Sequence, residues 1–126
     1  MKKLKHIKEY IDPEIEPTED MLFEMANFGT KTTGLPMIVW VSEKRATHGP
    51  RIKVSRSYNH KVLIGDTFSV SIADKPKVVA GDVGEISTTD LKRVFDWVVL
   101  NKEALIKYWN HELLTDELIT VLEKII

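Results

Sequence analysis

Six cations and one acid occupy the stretch from Glu43 to Lys61: Lys44, Arg45, Arg51, Lys53, Arg56 and Lys61 against Glu43. Within it, Arg51-Ile52-Lys53-Val54-Ser55 alternates polar and β-branched residues, and successive side chains of a strand point to opposite faces. Ile52 and Val54 therefore turn toward a core, and Arg51, Lys53 and Ser55 line the other face. Lys44 and Arg45 fall in the preceding turn and Arg56 follows the strand. Together Lys44, Arg45, Arg51, Lys53 and Arg56 make a candidate anion site able to neutralise phosphates of nucleic acid or a nucleotide. Trp40, on the preceding apolar run, adds a stacking surface if it points the same way.

The same charges have a plainer account as a solvated sheet face. They can equally pair with the acid-rich stretch Glu9–Glu24, which holds seven acids and no base, within the chain or across a dimer. A formal net charge of −1 favours the plainer account, because dedicated nucleic-acid domains are usually basic.

Other chemistries find less support. Cysteine is absent, which removes disulfides, thiolate ligands and cysteine nucleophiles together. A zinc site would then need histidines and carboxylates to converge. His6, His48, His60 and His111 are far apart, and only His48 and His60, flanking the basic strand, could meet near Asp66 or Asp82. A histidine general base at His48 or His60 is the weakest reading, since neither shows a partner in the sequence. Ser69 and Ser71 alternate with Phe68, Val70 and Ile72 and read as the solvent-facing half of a strand, not as nucleophiles. The glycines spell no phosphate loop or dinucleotide fingerprint. Trp97 and Tyr108-Trp109 fall on a helical stripe and read as core. No metal site, cofactor or catalytic residue is expected.

The elements that must hold these residues follow from periodicity. Leu4, Ile7 and Ile11 predict a short helix ended by Pro13, and Thr18 to Gly29 predicts a second, with Thr18 as N-cap. Leu35 to Val41 reads as a strand buried on both faces. Arg51–Ser55, Phe68–Ile72 and Lys77–Ala80 complete an antiparallel meander, while residues 58–67 fit a strand or a folded loop. Ser87-Thr88-Thr89-Asp90 starts a helix in the manner of a capping box. Its apolar stripe runs through Leu91, Val94, Phe95, Val98, Leu105, Tyr108 and Trp109, as one helix or two abutting ones. Thr115 caps a last helix burying Leu118, Val121, Leu122 and Ile125. The fold class is thus α+β: one domain over residues 1–126, with three to four strands packed on one face by carboxy-terminal helices and two short helices at the start.

His48-Gly49-Pro50, the alternating Ile52-Lys53-Val54 and Phe68–Ile72, Gly81, and the helix carrying Trp97, Asn101 and Trp109 resemble a family of small uncharacterised bacterial and phage-borne proteins. In that family a His-x-Pro turn leads into strands and a tryptophan-bearing helix. The overlap covers about His48 to Trp109. The resemblance implies a shared scaffold and a role among toxin-antitoxin-associated or mobile-element accessory proteins, without any catalytic residue. Where family members often carry further histidines, this chain has Arg51, Lys53 and Asn101, a departure that weakens the case for a metal site inherited from them.

At 43% hydrophobic and 29% charged residues the chain has the composition of an ordered globule. No apolar run is long enough to span a bilayer and the start is charged, so a cytoplasmic protein without a membrane partner is expected. The first functional expectation is an interaction module for a protein partner or for itself. The second is phosphate or nucleic-acid binding through the basic strand.

Overall fold

The computed structural model describes residues 25–43, 48–58 and 66–125. Five strands run in chain order across one antiparallel sheet: β1 (Met25–Phe28), β2 (Val39–Ser42), β3 (Arg51–Ser55), β4 (Thr67–Ser71) and β5 (Val78–Ala80). A single turn of helix, α1 (Thr30–Thr33), links β1 to β2. The long α2 (Thr88–Trp109) and the short α3 (Thr115–Val121) follow the sheet. The α+β class and the meander agree with the sequence. The five strands exceed the three to four expected, and the difference lies at the start.

Residues 25–28 were expected at the end of a helix but form β1, paired with β2 from Met25 opposite Ser42 to Phe28 opposite Val39. Ala26 and Phe28 are buried and Asn27 between them is exposed, so the period is two. Pairing against the apolar β2 outweighs weak local helix propensity, which tertiary context commonly overrides. Gly29, expected as a helix stop, instead precedes α1. The rest of that expected helix and the helix over residues 4–11 lie outside the described residues, as does most of 58–67.

The strand register separates two faces. Val41, Ile52 and Val70 stand in one row and Val39, Val54 and Phe68 in the next. All six are buried in one core with Val94, Trp97, Val98 and Leu105 of α2, with Leu35 and Met37, and with Leu118 of α3. Each such side chain contributes about 1.5–3 kcal/mol. The far face carries Trp40 opposite Lys53, Lys53 opposite Ser69, and Arg51 opposite Ser71. It is shielded at its centre: Trp40 is 6% exposed, Ser55 0% and Ser69 5%. Ser69 is therefore not solvent-facing as its alternation suggests; it is buried on β4, opposite Lys53 of β3 and Ala80 of β5. β5 is only three residues long, pairs across a register shift at Ser69/Val70, and lies between Pro76 and Gly81.

α2 is one helix. Ser87 Oγ accepts from the Asp90 N–H at 3.1 Å, the capping that its sequence announces. Its far end closes as a Schellman motif, with the Glu112 N–H donating to Lys107 O at 2.8 Å and the His111 N–H to Tyr108 O at 3.1 Å. The motif needs a left-handed residue, and His111 supplies it at φ 64°. α3 is capped differently from expectation: Glu117 Oε1 accepts from the Leu114 N–H at 2.8 Å, and Thr115 Oγ1 is 2.9 Å from the Tyr108 hydroxyl. The helix also stops early. Leu122 turns extended at ψ 135°, Val121 is 48% exposed, and residues 122–125 follow as an arm outside any helix or strand.

Candidate functional site

The three described cations among the five predicted to bind anions, Arg51, Lys53 and Arg56, do not share one environment. Lys44 and Arg45 lie outside the described residues. Arg51 and Lys53 point to the far face of β3, as the alternation requires, and both are partly exposed. No side-chain hydrogen bond or ion pair of Arg51 occurs among the described residues.

Arg56 is engaged by carboxylates. Its Nη2 donates to Asp82 Oδ1 at 2.6 Å, its Nη1 to Asp66 Oδ1 at 3.0 Å and its Nε to the Asp82 carbonyl at 3.1 Å. The hydrogen bond from Arg56, reinforced by the Gly84 N–H at 3.0 Å, holds the Asp82 carboxyl below its ordinary range. A guanidinium already forked onto carboxylates must release them to meet a phosphate. The hydrogen bonds to Asp82 and then Asp66 likewise raise the Arg56 pKa.

This ion cluster is part of a latch between the end of β3 and the loop that starts α2. The Glu85 N–H donates to Arg56 O at 3.1 Å, and the Tyr58 N–H to Glu85 Oε1 at 3.1 Å. The Tyr58 hydroxyl donates to Asp90 Oδ2 at 2.7 Å and accepts from the Ser87 N–H at 3.0 Å. Gly84 sits within the latch at φ 61°, where a Cβ would lie 2.6 Å from Arg56 O. The latch thus ties the basic strand to the N-terminus of the main helix.

The two described histidines, His48 and His111, belong to no metal-holding cluster. His48 Nδ1 lies 3.1 Å from Gly49 O, and its ring tilts against Trp109 at 5.7 Å between centroids. His111 Nδ1 is 3.0 Å from Glu43 Oε2. His6 and His60 lie outside the described residues. Among the described residues no group of His, Asp and Glu is arranged to hold a metal. The buried polar side chains there are Thr33, Ser55, Ser69 and Asn101.

A different surface stands out on the helices. Val99 and Leu100 of α2 are 50% and 43% exposed, and Leu114, Ile119 and Val121 are 66%, 50% and 48% exposed. Leu100, Ala104, Leu113 and Val121 line a cleft of about 300 Å³ between α2 and α3, bordered by Glu103 and Lys107. A second depression carries it on past Val99 and Ile106 to Lys102 and Glu112. The sequence held a signal for this surface. Val98-Val99-Leu100 are consecutive, and at 100° per residue they cannot all face one core. Val98 faces inward and the other two must face out. On the arm side, Val121, at the end of α3, is exposed as well.

Asn101 forms the floor between this cleft and the core. It is 3% exposed; its Nδ2 donates to Trp97 O and to Glu123 O, each at 3.0 Å, and its Oδ1 accepts from the Glu123 N–H at 2.7 Å. The side-chain amide thus pairs with both main-chain groups of one arm residue, as a neighbouring strand would. The Ile125 N–H then donates to Thr33 O at 2.8 Å. Gly34, at φ 78°, admits the arm, because a Cβ there would collide with Ile125 O.

Compared with protein-family models, with curated proteins and with solved structures, the chain matches none. No helix among the described residues is long and apolar enough to cross a membrane.

Proposed function

We propose that the protein is a small binding module whose partner is a protein, and that the contact surface is the cleft side of α2 and α3. One observation carries this reading: three large apolar side chains, Val99, Leu100 and Val121, stay 43–50% exposed while lining one cleft and the depression that continues it. Single exposed apolar residues are ordinary, whereas a group around a concavity with a charged rim marks an interaction surface. Lys102, Lys107, Glu103 and Glu112 supply a rim of both signs, which suits a protein surface better than a polyanion. The fitting partner presents an apolar ridge flanked by mixed charges.

The test is capture of a partner from the native host by full-length protein, alongside light scattering of the purified chain. Leu100→Glu and Val121→Glu abolish capture or self-association while the far-ultraviolet circular dichroism stays native. A strictly monomeric protein that retains no partner overturns the reading.

A second reading keeps the basic strand as a phosphate or nucleic-acid contact. It is supported by Arg51, partly exposed beside the Ser71 hydroxyl and free of side-chain partners among the described residues. Reversing charge at Arg51 and Lys53 then removes binding to short DNA, RNA or heparin at low salt and leaves the fold intact. Equal binding by the wild type and the reversed variant discards it.

A further inference from the structure

We propose that the arm formed by α3 and residues 122–125 is exchanged between two copies of this chain, each arm occupying the partner's Asn101 site. The proposal rests on the protein-binding reading above and names a second copy as one partner.

Three features carry it. First, the arm is held by contacts that another copy supplies equally well. Leu118 is fully buried in the core, Asn101 grips the main chain of Glu123 from both sides, and Thr33 O receives the Ile125 N–H. The hydrogen bonds at Glu123 and Ile125 use main-chain atoms of the arm, so they transfer unchanged to an identical arm arriving from outside.

Second, the connection between α2 and α3 is short and contains a left-handed residue with a β-carbon. Only Asn110–Leu114 separate the two helices, and His111 within them is the one non-glycine residue at positive φ among those described, at 64°. A left-handed β-carbon residue costs free energy that an opened hinge returns, and short strained hinges favour exchange of the element they carry.

Third, the arm leaves apolar surface that the closed monomer does not cover: Leu114 at the hinge, and Ile119 and Val121 on α3. In a two-fold dimer with crossed hinges Leu114, which lies in the hinge itself, is placed where the two chains pass each other, while the contacts of each arm with its lobe are preserved.

The chain has no cysteine, so Lys124→Cys places a single nitroxide on an exposed arm residue whose side chain lies beside Gly34. Labelled full-length protein is mixed with an equal amount of unlabelled-thiol, nitrogen-15 protein, concentrated, and left to equilibrate. Exchange predicts a dimer by light scattering in which the Thr33 and Gly34 amides of the nitrogen-15 copy are broadened by the other copy's label.

It also predicts an ordering at the hinge. His111→Val, a β-branched residue at a left-handed position, raises the dimer fraction several-fold, and His111→Gly lowers it several-fold. Both keep the native circular dichroism. A dimer in which broadening is confined to residues around Val99 and Leu100 overturns arm exchange and leaves the binding reading standing. A monomer at all concentrations overturns exchange, and the fate of the binding reading then rests on capture from the host.

Discussion

Two regions of this molecule solve the same problem, fastening a loop-borne segment to the sheet and main helix, by opposite means. At the end of β3 the fastening is ionic and lies at the surface: Arg56 reaches Asp66 and Asp82, whose side chains are 49% and 79% exposed. Beneath the arm it is neutral and buried, with one amide, Asn101, at 3% exposure. Exposed ion pairs contribute little and are screened by salt, whereas a buried amide that loses its partners carries the full cost of desolvation. The difference teaches that the more conspicuous charged cluster is the weaker fastening.

The comparison breaks most sharply at Asn101. Asn101→Ala leaves the Glu123 N–H and the Glu123 carbonyl without their side-chain partner, and lowers stability by about 3 kcal/mol in denaturant unfolding. A loss under about 1 kcal/mol refutes the claim that the buried amide is the stronger anchor. Two glycines then allow a like-for-like test. Gly34→Ala forces a left-handed alanine against Ile125 O and costs about 2–3 kcal/mol, with earlier proteolysis of the arm. Gly84→Ala pushes into Arg56 O within the ionic latch and costs about 1–2 kcal/mol. Equal costs, or a reversed order measured by thermal unfolding, erase the contrast.

The smallest expected effect is electrostatic. The folded-state pKa of Asp82 is depressed, chiefly by its hydrogen bond from Arg56. Its contribution to stability is therefore present above the unfolded value near 3.9 and is lost as pH falls through the lower folded value. Arg56→Gln removes that contribution, so stability is slightly lower at neutral pH, the acid limb is flatter in that window, and the two curves meet below it. An acid limb identical to wild type shows that the ion pair does not form in solution.

Periodicity made the sheet legible wherever strands alternate. Ile52, Val54, Phe68 and Val70 occupy the core positions that their spacing assigns, and Ser87 caps α2 as its sequence indicates. β1 was hidden because Met25-Ala26-Asn27-Phe28 follows an acid-rich stretch with helical spacing, and only pairing with β2 reveals its period of two. At the candidate site, the facing of Arg51 and Lys53 was readable, but the engagement of Arg56 was not. Asp82 stands 26 residues away, and no local pattern reports a contact of that range. The early end of α3 was unreadable for the same reason. Leu122 and Ile125 continue a helical spacing that the distant Asn101 side chain interrupts.

β5 has a consequence for behaviour at high concentration. Its three residues, the register shift beside it and the adjacent proline leave this flank of the sheet with too short a ladder to recruit a foreign strand. Growth by strand addition into open-ended fibres is therefore disfavoured through the β5 side.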